Sequence, residues 1–158
     1  MTGSIKPIPD GYHTVNTYLT VQDGPAAIDF YQKAFGMEVA FRLDSPPGKV
    51  GHAELRLGDS TIMLSDEMVG GACRSPKALG GTSVTLFLYV PDVDKTFNQA
   101  VAAGGQVVMP VEDMFWGDRF GSVTDPFGHN WGLATHIEDL SPEELQKRAA
   151  AAMAQMGK

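Results

Sequence analysis

Cysteine is nearly absent. The single thiol, Cys73, excludes any internal disulfide, which agrees with a chain kept in a reducing compartment. Long hydrophobic runs are missing too: no stretch approaches the ~20 apolar residues of a membrane helix. The amino-terminal MTGSIKPIPDGYH has no apolar segment of signal-peptide length behind Lys6, so a cytoplasmic location is expected, with no membrane partner. Positive charge is also scarce. Twelve Lys and Arg stand against 19 Asp and Glu, a formal charge of −7 with no basic cluster, which excludes nucleic acid as a partner. An acidic surface can steer a cationic ligand, and solubility accounts for it equally. The glycine-rich stretch from Gly70-Gly71 to Gly80-Gly81 contains Lys77 but lacks the Gly-Lys-Ser/Thr ending of a phosphate loop, and it reads as a linker.

What is present is a globular composition, 43% hydrophobic and 20% charged. Thr14 to Val21 reads as a strand, and Gly24-Pro25 opens a helix whose Ala27, Ile28, Tyr31, Ala34 and Phe35 share one stripe before Gly36 stops it. Met37 to Arg42, Val50 to Leu57 and Thr61 to Ser65 read as strands, the last two joined at Gly58-Asp59. The same order then returns. Val84 to Val90 is a strand, and Val93, Phe97, Ala100 and Val101 form a helical stripe ended by Gly104-Gly105. Gln106 to Met109, Arg119 to Thr124 and Asn130 to Thr135 are strands. A shift of 69 lays Val21 on Val90, Ile28 on Phe97, Gly36 on Gly105, Val39 on Val108 and Leu64 on Leu133, which marks an internal duplication.

The stretch Trp116 to His136 holds both tryptophans, two of the four histidines and the Asp118-Arg119 pair. Its centre, Thr124-Asp125-Pro126-Phe127-Gly128, is turn chemistry. Beyond it, Ser141-Pro142-Glu143-Glu144 is a capping box that begins a terminal helix.

Ala27-Ile28-Asp29-Phe30-Tyr31 before Phe35-Gly36, Gly51 to Leu55, Asp125-Pro126-Phe127-Gly128-His129 and the closing His129 to His136 resemble the vicinal oxygen chelate superfamily. That is the glyoxalase, bleomycin-resistance and extradiol-dioxygenase fold, here most similar to its PhnB-like branch. The resemblance implies an α+β domain spanning 1–158: module one (12–66), a linker (67–82), module two (83–137) and a C-terminal helix (141–156), with the two tandem βαβββ modules forming a partly open barrel around one cavity. It also implies metal ligands, usually His and Glu, on the first and last strand of each module. Asn16, Met63, Thr85 and Gly132 stand at those positions, and none is His, Glu or Asp. No cofactor and no metal are therefore expected. A rearranged site from His52, Glu54 and His136 is the alternative.

Strand alternation assigns the cavity lining to Asn16, Tyr18, Met63, Thr85, Phe87, Tyr89 and Gly132, with Trp116 and Arg119 at the rim. A filled core is the competing reading of the same aromatics, and a solvated Asp118-Arg119 pair that of the rim. The expected function is metal-independent binding of a small molecule, as in the antibiotic-sequestering relatives. The rival is a glyoxalase-like lyase or isomerase with His52 or Glu54 as general base. A homodimer is expected from the resemblance as well.

Overall fold

Alternation of apolar and polar residues and two helical stripes dictate the architecture seen in a computed structural model, which describes residues 5–156. The chain divides into two units, one ending at Thr82 and the other beginning at Ser83. Unit one contains β1 (Thr17–Val21), α1 (Gly24–Phe35), β2 (Glu38–Asp44), β3 (Val50–Leu57), β4 (Ser60–Asp66) and the short α2 (Pro76–Leu79). Unit two contains β5 (Thr85–Tyr89), α3 (Val93–Ala102), β6 (Gln106–Asp113), β7 (Asp118–Thr124), β8 (Asn130–His136) and α4 (Pro142–Met156). Each unit is βαβββ, as the duplication predicts.

Unit one forms a four-stranded sheet in the order β1-β4-β3-β2, and unit two repeats it as β5-β8-β7-β6. The helical crossover carries the chain from one edge strand of the sheet to the other, and the last strand of each unit returns to lie parallel beside the first, β4 against β1 and β8 against β5. The register preserves the shift of 69 between the copies: Tyr18 faces Met63, and Phe87 faces Gly132. The third strand of each unit obeys a shift of 68 instead, because Glu54 faces Met63 where Ser122 faces Gly132. The extra residue lies in the β7–β8 turn. There Asp125 accepts from the backbone N–H groups of Phe127 and His129 at 2.9 Å each and from Trp131 Nε1 at 2.9 Å.

One helix covers one face of each sheet. Leu19, Val21, Leu55, Ile62 and Leu64 are buried with Ile28 and Tyr31 of α1, while Val123, Trp131 and Leu133 are buried with Val93 and Phe97 of α3. Asp23 and Asp92, again 69 apart, cap the two helices by accepting from Ala26 N and Lys95 N. Each first helical N–H is anchored to the neighbouring parallel strand. Gly24 N donates to Asp66 Oδ1 at 3.0 Å, and Val93 N donates to Thr135 Oγ1 at 2.9 Å.

The boundaries depart from the sequence reading at three places. β1 starts at Thr17, not Thr14, because the Asn16 amide accepts from His13 N at 3.0 Å and closes a turn ahead of the strand. β6 runs past Met109 to Asp113 through Pro110, which an edge strand with two irregularities of register tolerates. Inside the linker, Ser75 caps α2 over Pro76 and donates to Glu67, whose carboxylate also holds Arg74. The terminal helix begins as expected, with Glu144 N on Ser141 Oγ at 3.2 Å.

Asp66 is fully buried and also accepts from Val50 N at 2.7 Å. Asp66→Ala strands two backbone donors, and chemical denaturation should show a loss of roughly 2–6 kcal/mol, at about 1–3 kcal/mol for each buried group left without a partner. A loss below about 0.5 kcal/mol, the scale of an ordinary surface change, would contradict this anchoring role.

Candidate functional site

With α3 on one face, the pleat of unit two sends Phe87 and Tyr89 (β5), Asp118, Phe120 and Ser122 (β7), and Gly132, Ala134 and His136 (β8) to the other. Tyr89 is 65% exposed and Phe87 47% exposed, so this face carries large aromatic rings in the open. Phe87 and Phe120 stack with centroids 5.4 Å apart and planes 12° from parallel. Tyr89 continues the row on one side of Phe87 at 5.2 Å, Trp116 continues it beyond Phe120 at 6.0 Å, and Phe115 meets Trp116 edge-on at 5.1 Å.

Small residues make the floor. A Cβ on Gly132 would lie 2.9 Å from Phe120 and 3.0 Å from Phe87, and Ala134 is fully covered. The room that glycine leaves is therefore taken by the two rings. Asp118 closes the row into a circuit: its buried carboxylate accepts from Tyr89 OH at 3.0 Å and from Trp116 Nε1 at 3.1 Å, both on Oδ2. Gly117 makes this geometry accessible. Its φ is +94°, and a side chain there would collide with the Glu138 carbonyl.

Asp118 Oδ1 also accepts from His136 Nδ1 at 2.8 Å, and His136 Nε2 lies 3.0 Å from Asp139 Oδ1. Carboxylates only accept, so both ring nitrogens donate and the imidazolium is favoured. The His136 pKa is raised, first by the bond to Asp118 and then by that to Asp139. Tyr89 is held above the ordinary phenol value, again chiefly by Asp118.

The equivalent face of unit one carries titratable groups in place of phenylalanines. Tyr18 stands where unit two has Phe87, and His52 where it has Phe120, with centroids 5.6 Å apart. Tyr18 OH lies 3.1 Å from His52 Nδ1, and His52 Nε2 lies 3.4 Å from Glu54 Oε1. Glu54 accepting from Nε2–H leaves Nδ1 to accept the Tyr18 proton. Tyr12 completes the chain, its pKa raised foremost by a hydrogen bond to Glu54. Met63 lies between Tyr18 and Glu54 in register, and Phe41 flanks His52 at 6.2 Å.

The residues singled out in the sequence thus divide. Phe87, Tyr89, Trp116 and Gly132 meet on one face of unit two, with Thr85 exposed beside Asn130 at its end. Tyr18, Met63, His52 and Glu54 meet on the equivalent face of unit one. Asn16 is spent on the His13 turn. Arg119 points to the helix side, where it holds Asp94 at 2.7 Å and Asp113 at 2.9 Å, and it makes no pair with Asp118. The two tryptophans separate as well: Trp116 joins the open face and Trp131 is fully buried. Sequence reasoning missed Phe120, although the parity of β7 places it on the face of Gly132, and it read Asp118 as a rim charge instead of the acceptor that gathers Tyr89 and Trp116.

The donor set does not fit the metal that the fold family implies. Asn16 is engaged in its turn, Met63 and Thr85 supply a thioether and a hydroxyl, and Gly132 supplies nothing. Among the described residues no group of three or more His, Cys, Asp or Glu could hold a metal ion.

Two outcomes follow from this geometry. Gly132→Ala must displace Phe87 or Phe120 and should cost about 1–3 kcal/mol, the usual penalty of overpacking, as read by thermal denaturation. For His136, a raised folded pKa means that its stabilising contribution is complete below the unfolded value of about 6.5 and is lost as pH rises through the folded value. An NMR titration should find His136 titrating above a model imidazole; a value at or below that of the free imidazole would contradict the Asp118 contact.

Comparison with known proteins agrees with the fold. A family model described as the Glyoxalase/Bleomycin resistance protein/Dioxygenase superfamily matches residues 12–133. An uncharacterized protein of Mycobacterium tuberculosis is 44% identical over 146 residues, covering 90% of this chain and 84% of its own length. Protein YjdN of Escherichia coli is 29% identical over 125 residues, covering 66% of this chain and 82% of its own. Among solved structures, TioX from Micromonospora sp. ML1 superposes with a TM-score of 0.62 at 28% identity, covering 78% of this chain and 99% of its own. With the match spanning both βαβββ units, the chain belongs to the Glyoxalase/Bleomycin resistance protein/Dioxygenase superfamily.

Proposed function

We propose that the protein is a metal-independent small-molecule binding protein of the glyoxalase and bleomycin-resistance type, with antibiotic sequestration as its most specific form. The observation that carries this reading is the exposed aromatic row Tyr89–Phe87–Phe120–Trp116, held in place by one buried carboxylate and floored by Gly132. Flat, pre-positioned rings beside a few polar groups bind a planar or amphipathic organic molecule by stacking and need no catalytic group. Among the described residues no helix is long and apolar enough to cross a membrane, and the placement we propose is cytoplasmic. The wholly exposed outer strand β2, with Val39, Phe41 and Leu43 uncovered, supports a homodimer as the working form.

A second reading is favoured by the Tyr18–His52–Glu54 chain. This is an acid–base constellation on the open face of unit one, and it suits a lyase or isomerase of glyoxalase type. Turnover of the methylglyoxal–glutathione hemithioacetal that disappears in His52→Ala and Glu54→Ala would establish that reading over the first.

The binding reading has its own test. Trp131 is sealed in the core, so quenching of tryptophan emission by a planar aromatic such as quinoline reports on Trp116. Saturable quenching should be seen, and Phe87→Ala should weaken it about tenfold with little change in thermal stability, since Phe87 is half exposed. A stability loss of ~3 to 5 kcal/mol with unchanged quenching would make Phe87 a core residue and contradict the proposal.

A further inference from the structure

We propose that the aromatic face of unit two selects organic cations, specifically planar compounds bearing a quaternary or protonated nitrogen. This rests on the binding reading above and adds a charge to the ligand. The donors around the rings are already engaged. Tyr89 OH and Trp116 Nε1 both donate to Asp118 Oδ2, and the two ring nitrogens of His136 face Asp118 and Asp139. The polar hydrogens bordering the rings are therefore turned away from a ligand. What remains outward is π surface and the lone pairs of the Tyr89 oxygen, which attract positive charge and N–H donors. Ser122, one row beyond and facing Gly132, keeps a hydroxyl that accepts as readily as it donates.

Charge agrees with this arrangement. Asp118 and Asp139 against one imidazolium leave the platform negative, and it becomes more so when His136 loses its proton. Arg119, next to Asp118 in sequence, is on the opposite face with Asp94 and Asp113, while Arg148 of α4 is spent on Glu138 and Glu144. Among the described residues of unit two, both arginines are thus committed to carboxylates instead of being free to hold a carboxylate or phosphate over the rings. A phenol and an indole that donate to a buried carboxylate also have more electron-rich ring faces, and the low local dielectric preserves that field. Unit one differs: His52 and Tyr18 replace the stacked phenylalanines, and the selectivity belongs to unit two.

The test compares two probes of one shape. N-methylquinolinium and neutral 1-methylnaphthalene are titrated into the full chain by calorimetry at low ionic strength, with naphthalene-1-carboxylate as the anionic arm. The indole Nε1–H resonances of Trp116 and Trp131 locate the site by NMR. The expected result is that the quinolinium binds about fivefold or more tightly than the naphthalene, the carboxylate binds worst, and the Trp116 resonance shifts while that of Trp131 stays. Asp118→Asn should bring the ratio of quinolinium to naphthalene affinity down to about one, a ratio in which any loosening of the ring row falls on both probes alike. If that variant does not fold, the ratio of the probes on the natural chain decides alone. Equal affinities for cation and neutral probe, or preference for the carboxylate, would overturn the charge selectivity and leave the binding reading standing. Absence of binding by all three, with no shift at Trp116, would overturn both.

Discussion

The anchoring of each helix start to the adjacent parallel strand decides which face of each sheet is covered and which is left open. Gly24 N on Asp66 and Val93 N on Thr135 are the same bond made twice, by a carboxylate in one unit and a hydroxyl in the other. Once that bond fixes the helix over the Leu19–Leu64 or Trp131–Leu133 face, the pleat assigns every other residue of the strands. Tyr18, His52 and Glu54 are sent to the open face of one unit, and Phe87, Tyr89, Phe120 and Asp118 to that of the other.

The two units keep the same frame and diverge in chemistry. An aromatic pair occupies equivalent positions in both, Tyr18 with His52 and Phe87 with Phe120, at nearly equal separations of 5.6 and 5.4 Å. In unit one the pair is part of a proton-bearing chain that ends on Glu54 and Tyr12. In unit two it is a hydrocarbon surface whose polar edge is gathered onto Asp118. Duplication followed by such divergence gives one chain an acid–base face and a stacking face. Asn16, Met63, Thr85 and Gly132 supply neither face with a carboxylate or an imidazole, and Gly132 serves the stacking face only by leaving room for its rings.

Most of the frame was legible in the sequence, because it rests on local signals. Two helical stripes, the glycines that end them and the offset of 69 predicted both βαβββ units and made Gly132 the repeat mate of Met63, while its pairing with Phe87 comes from the sheet register. The site was less legible for three physical reasons. The shift changes to 68 in the third strand, so arithmetic alone does not pair His52 with Phe120. Arg119 reads as a rim charge from its neighbours, yet parity sends it to the helix side, where Asp94 and Asp113 hold it. Asp118 looks like half of a surface ion pair, but its role comes from Tyr89, Trp116 and His136, which are distant in sequence or separated from it by the turn at Gly117.

In the proposed function, ligand binding is carried by the ring platform of unit two and owes nothing to a metal ion. Calorimetric titration of the same planar aromatic ligand before and after exhaustive chelation, and again with one equivalent of nickel, zinc or manganese restored, measures this directly. One affinity is expected under all conditions, and loss of it when Trp116 and Phe87 are replaced by alanine. An affinity that collapses on chelation and returns with the metal would contradict it.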